Sequence, residues 1–158
     1  MIIADLQDFS KIVKAPCRLL GIDYGKKKLG IAVSNPEQTM ALPIRQIMEE
    51  RIDIRLKELA SIIEEFSVKG LVIGLPINMD GSFSEQSDIV EKFAQKLTDS
   101  LQLPVYLQDE RLTSKAANNA LKTAGFNRRE RDSLDDQIAA CMILETTLIR
   151  LHRIYDAD

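Results

Sequence analysis

The heptapeptide GLVIGLP, residues 70–76, constrains this chain most. It is apolar throughout and shows no alternation. A strand of that composition is covered on both faces, which is the condition of strands in parallel sheets layered between helices. A second apolar run, Leu19–Ile22, reads as another buried strand and ends on a carboxylate, Asp23. Three lysines, Lys26–Lys28, follow before a further apolar run opens at Leu29. An acid that closes a core strand beside three positive charges calls for a chemical reason.

Periodicity and turn residues predict the other elements. Ile2, Leu6, Phe9 and Val13 are spaced for a short amphipathic helix over residues 1–16, an N-terminal helical extension ended by Pro16. Leu19–Asp23, Leu29–Ser34 and Leu42–Met48 read as three antiparallel strands. Residues 51–66 place Ile52, Leu56, Leu59, Ile63 and Phe66 on one helical face. After GLVIGLP comes the loop NMDGSFS, turned at Asp80-Gly81. Ser82 and Glu85 have capping-box spacing before a helix with Ile89, Phe93 and Leu97 inward. Residues 104–108 are a further strand, 113–124 an alanine-rich helix, 126–133 a polar basic loop and 134–151 the last helix. This order predicts a single α/β domain over residues 1–158. Its core is a mixed five-stranded sheet, three antiparallel strands and then parallel ones, flanked by helices.

The 158 residues are 45% hydrophobic and 28% charged, a composition that builds one ordinary soluble core. No apolar stretch has the length of a membrane span. The first sixteen residues carry Asp5 and Asp8 and lack a long apolar region, so they do not read as a signal peptide. Cys17 and Cys141 have no metal-type neighbours, which suits a reduced, cytoplasmic protein. The net charge of −3 is unevenly spread: residues 111–131 hold six Lys/Arg against one acid. An acidic total argues against a non-specific DNA coat, and leaves room for nucleic acid held in one basic groove.

Three carboxylates stand where chemistry gathers. Asp23 ends the first strand, and Asp109-Glu110 end the last. Sites in open α/β sheets lie at the carboxyl ends of strands, and these two strands become neighbours if the sheet closes back on its first strand. On the final helix, Asp136 has Ala139 and Ala140 one turn later on its own face. Two small residues there let the helix approach the sheet and carry Asp136 towards Asp23. Three crowded carboxylates repel one another unless a cation is present. Oxygen-only ligands favour Mg²⁺ or Mn²⁺ over zinc. His152 is the only histidine, and no Ser-His or Cys-His pair is available, so an enzyme built on these residues would use metal-assisted attack of water on a phosphate ester. Plainer roles exist for each acid alone: Asp136 as a helix-start acid, Asp23 as a turn cap, Glu110 as a partner of Arg111. The cations fit the phosphate reading. Lys26, Lys27 and Lys28 flank Asp23, Arg111 and Lys115 follow Glu110, and Arg128, Arg129 and Arg131 precede Asp136.

The segments GIDYGKKKLGIAVS, VIGLPINMDGS, DERLTS and DDQIAACMILE, in this order and spacing, closely resemble the YqgF family, also called RuvX. The resemblance covers about residues 18–151. These are bacterial pre-16S rRNA nucleases with an RNase H-like fold, related to Holliday-junction resolvases. The resemblance implies a cytoplasmic endonuclease that matures the 5′ end of 16S rRNA. It implies Asp23, Glu110 and Asp136 as catalytic, metal-holding acids, and a loop at Asn78–Ser82 lining the site. Ser133 stands where the family often has lysine, and Glu130 and Asp132 dilute the family's basic run. The expected partners are pre-16S rRNA or another structured nucleic acid, together with ribosomal particles and no membrane; the expected state is a monomer or weak homodimer. Competing readings are a DNA junction resolvase and a catalytically weak nucleic-acid or ribosome-binding factor. The first phosphate loop of actin-like ATPases is also similar to IDYGKKKLGIAVS, but those enzymes close two lobes on ATP and this length supplies one.

Overall fold

A computed structural model describes residues 1–111 and 128–157, with side chains over 1–111 and 138–157. The expected helix over 113–124 lies outside the described residues.

The centre is a six-stranded sheet. In chain order its strands are β1 (Ile2–Ile3), β2 (Arg18–Asp23), β3 (Leu29–Ser34), β4 (Ala41–Ile47), β5 (Val68–Leu75) and β6 (Val105–Asp109). Across the sheet the order is β1-β6-β5-β2-β3-β4. β2, β3 and β4 form the expected antiparallel meander, with Gly21 opposite Ala32. β5 pairs parallel with β2, Ile22 opposite Ile73, and β6 parallel with β5, Leu75 opposite Asp109. β5 is buried over its last six residues, as its unbroken apolar run requires.

Two corrections concern the sheet. It has six strands rather than five, because Ile2 and Ile3 pair with Val105 and Tyr106 instead of joining a helix. Their β-branched side chains suit the open edge of β6 better than a helical turn. The strand that ends on Asp23 and the strand that precedes Glu110 are also not neighbours, since β5 lies between them.

Helices cover both faces. α1 (Leu6–Ile12) and α4 (Arg128–Ala157) enclose one core with Phe9, Val13, Leu19, Val72, Ile143 and Leu144. α2 (Ile52–Phe66) and α3 (Glu85–Leu101) enclose the other with Leu20, Ile22, Ile73, Leu59, Phe93 and Leu97. The N-cap of α3 is Ser84, with Ser87 completing a capping box, rather than Ser82 with Glu85. That shift turns Val90, Phe93, Ala94 and Leu97 inward and leaves Ile89 39% exposed. α4 begins at Arg128, so residues 128–133 are helical rather than loop; no Gly or Pro interrupts them.

α4 lies on β2 in contact at the backbone. A Cβ on Gly21 would stand 2.9 Å from the Ala140 carbonyl oxygen and 2.8 Å from the Leu144 Cβ. Glycine on the strand and alanine on the helix together permit this approach. The helix has a fixed sense. His152 Nε2 meets the Gln38 carbonyl at 2.9 Å and Tyr155 donates to the Gln38 side chain at 2.8 Å. Gln38 sits in the β3–β4 connection, beside the start of β2. The helix therefore ascends from that end, over Gly21 at Ala140, and its earlier residues lead towards the Asp23 end.

Candidate active site

Asp23 and Glu110 meet across a strand. Glu110 follows β6, and its backbone N–H donates to the Leu75 carbonyl at 3.1 Å, which seats it at the end of β5. To reach Asp23 on β2 its side chain has to pass over β5. It passes at Gly74, where a Cβ would stand 2.7 Å from the Glu110 carboxyl carbon and 2.5 Å from Ile143 Cδ1. The absent side chain at Gly74 is the passage, and the two carboxyls join through a hydrogen bond. Two carboxyls can share a hydrogen bond only if one carries the proton. Burial, the dominant cause, pushes the Glu110 carboxyl above its ordinary value; the Asp23 hydrogen bond opposes this and the Asp109 charge adds to it.

Arg111 does not pair with Glu110. Its guanidinium and backbone N–H both bind Asp109, at 2.6 Å for Nη2 and 2.9 Å for the N–H. This hydrogen bonding holds Asp109 below the usual carboxylate range. Glu110 is thereby left to turn towards Asp23 while its neighbour takes the cation. Asn78 opens a closed loop after β5, bonded to Ser82 through its backbone N–H and its side-chain Nδ2, both at 3.0 Å. Ile77 and Phe83 bridge the base of this loop, and Gly81 takes φ +89° at its tip. Lys26 and Lys27 are exposed in the β2–β3 turn and Lys28 is half-buried. The side chains of Arg128, Arg129, Arg131, Ser133 and Asp136, and residue Lys115, lie outside what the structure describes. The backbone of α4 at Asp136 stands one turn beyond Ala140.

Arg55 was not singled out by the sequence, yet it holds the lysine turn. Its side chain is 2% exposed. Nη2 donates to the carbonyls of Gly25 at 2.7 Å and Lys26 at 2.9 Å, and Nε donates to the Glu49 carbonyl. The guanidinium also lies over the Tyr24 ring, 5.4 Å from its centroid. A signal was present: Arg55 shares the inward face of α2 with Ile52, Leu59 and Ile62, where an arginine needs a buried reason.

A family model described as "RuvX: Holliday junction resolvase" matches residues 17–150. The chain belongs to the RuvX family. A Rickettsia akari protein named "Putative pre-16S rRNA nuclease" is 51% identical over 154 residues, 98% of this chain and 100% of the relative. A protein of the same name from Rickettsia bellii is 50% identical over the same shares. Among solved structures, Thermus thermophilus RuvC in complex with a Holliday junction substrate superposes with a TM-score of 0.55 at 14% identity, over 86% of this chain and 96% of RuvC. The chain thus has the RNase H-like fold and belongs among nucleases, enzymes that hydrolyse phosphodiester bonds. Among the described residues, no helix is long and apolar enough to cross a membrane.

Proposed function

We propose that this protein is a divalent-metal-dependent endonuclease that matures the 5′ end of pre-16S rRNA in the cytoplasm, as a single domain that is monomeric or weakly dimeric. The carrying observation is the hydrogen-bonded pair Asp23–Glu110 at the strand ends, joined through Gly74. Two carboxyls that share a proton offer a cation site: Asp23 and Glu110 would hold a divalent ion in place of that proton, their charged forms no longer repelling one another. Among the described residues no group of three metal-type ligands stands together, and Asp136 is proposed as the third acid because α4 leads it towards this end. Oxygen donors alone suit Mg²⁺ or Mn²⁺. When bound, such an ion supplies Lewis acidity and an activated water. The protein's own residues do the rest. Asp23, Glu110 and Asp136 orient the metal. Lys26, Lys27 and Lys28, held from beneath by Arg55, grip phosphates beside the cleaved bond. Asn78, Arg111, Arg128, Arg129 and Arg131 extend that grip along the strand.

The names of the Rickettsia relatives support RNA, and the description of the family model keeps DNA junctions in view. One assay separates them: cleavage of a pre-16S rRNA fragment, a four-way DNA junction and single-stranded controls, with Mg²⁺, with Mn²⁺ and with chelator. Cleavage of the rRNA fragment only with metal is the expected result. Preference for the junction assigns a resolvase. Cleavage that persists in excess chelator removes the metal mechanism, and binding without cleavage of any substrate leaves a ribosome-binding factor.

A further inference from the structure

The sheet face opposite α4 holds a cavity between α2 and α3 of about 390 Å³. Tyr24, Ile89 and Phe93 form its apolar wall, and Arg55, Lys92 and Lys96 supply three cations. Glu50 is the one carboxylate among the described residues that line it. Arg55 is the decisive member. Its Nε and Nη2 are satisfied by backbone carbonyls, while Nη1 makes no hydrogen bond among the described residues. A guanidinium that is 2% exposed keeps an unanswered donor only at a cost, unless a ligand supplies the acceptor. Lys92 and Lys96 stand one helical turn apart on α3 and face the same way. Lys92 is paired with Asp88 at 3.1 Å, but both side chains are largely exposed, and such pairs exchange readily.

Three cations against an aromatic and aliphatic wall suit an anion that carries a flat ring. In a chain of net charge −3 they form a local positive site. Its position matters as well. Tyr24 follows Asp23 directly, and Arg55 holds the carbonyls of Gly25 and Lys26, so the lysine turn stands between the acid pair and this cavity. We propose that the cavity is a nucleotide site, with phosphate on Arg55, Lys92 and Lys96 and the base against Ile89 and the aromatic wall. A nucleotide flanking the scissile bond of a bound strand and a free nucleoside monophosphate share this chemistry; the first source rests on the nuclease reading above.

The protein has no tryptophan, so Ile89→Trp places a lone fluorophore at the rim. It is titrated without divalent metal with a twelve-residue uridylate strand, uridine 5′-monophosphate and inorganic phosphate. Saturable quenching is expected, with affinity falling about tenfold or more in Lys92→Ala/Lys96→Ala; these exposed positions leave the Arg55 anchors intact, and circular dichroism checks the fold. Quenching by the mononucleotide, competed by phosphate, assigns the free nucleotide as a ligand. Quenching by the strand alone assigns a subsite of the substrate. No saturable change with either, or equal affinity in the double variant, overturns the proposal. Because the titration needs no cleavage, a silent titration beside normal nuclease activity sinks the cavity alone, and saturable binding without nuclease activity sinks the nuclease reading alone.

Discussion

The two ends of β2 bury polar side chains on opposite terms. At its start, beside Arg18, Gln38 is fully buried and fully answered. Its amide donates to the carbonyls of Val13 at 2.7 Å and Cys17 at 3.1 Å, its side-chain oxygen accepts from Tyr155, and its own carbonyl meets His152. Donors face acceptors, and the chain termini of α1 and α4 are tied together there. At the Asp23 end two acceptors face each other, and a proton has to stand between them. Satisfied burial makes the first end a clasp. The second end sets like beside like, and its geometry depends on the gap at Gly74 that lets the Glu110 carboxyl through.

The comparison can be tested from both ends. The largest effect is expected from Asp23→Asn, which keeps the shape and removes a charge: divalent-dependent cleavage should fall by about a thousandfold or more. In chelator the same variant should melt slightly higher, because an amide donates to Glu110 without a shared proton. A lower melting temperature would show that the pair is not strained. Gly74→Ala comes next. The added methyl displaces the Glu110 carboxyl, while the Ile143 end atom can give way, so cleavage should drop about a hundredfold with the fold retained by circular dichroism. Activity unchanged in this variant would mean that Glu110 does not work through this passage.

Gln38→Ala should do the reverse. It leaves the Cys17 carbonyl without its side-chain donor, the Val13 carbonyl with only the Cys17 thiol and a long Tyr155 contact, and the Tyr155 hydroxyl without its acceptor, for a loss of about 2 kcal/mol in denaturant unfolding. Cleavage per folded molecule should stay the same. The smallest effect is in pH. Glu110 is raised above its ordinary 4.5 in the folded protein. Its stabilising contribution is therefore complete below that value and is lost as pH rises through the folded value. Metal-free protein should melt progressively lower across that interval, and Glu110→Gln should flatten the slope.

The strand-end positions of Asp23 and Glu110 and the close approach of the last helix at Ala140 were legible because strand ends and helix phase are local properties. Asp23 closes an apolar run, Glu110 follows another, and Ala139 and Ala140 announce a close helix. What joins them was not legible. GLVIGLP reads as a buried strand whatever its position in the sheet, so nothing in it places β5 between the two acids or makes Gly74 the passage. Ile2–Ile3 is too short to carry a period, and apolar spacing assigned it to a helix. Three serines at 82, 84 and 87 all suit a helix start, and only the Pro76 carbonyl, which accepts from Ser87 Oγ, decides among them. Arg55 was an anomaly in plain sight, since a periodicity count that tallies apolar positions passes over the charged one among them.

The pairing of β1 with β6 also bears on how the chain is made. Ile2 lies opposite Val105, and the Val105 N–H donates to the Met1 carbonyl at 2.9 Å. These residues therefore leave a ribosome about a hundred positions ahead of their partner and wait for it for several seconds at ordinary elongation rates. Phe9 and Val13 wait longer still, for the last helix to cover them. During that interval the meander and β5 can assemble alone, and the segment from Ile2 to Val13 is the last thread to be tucked in.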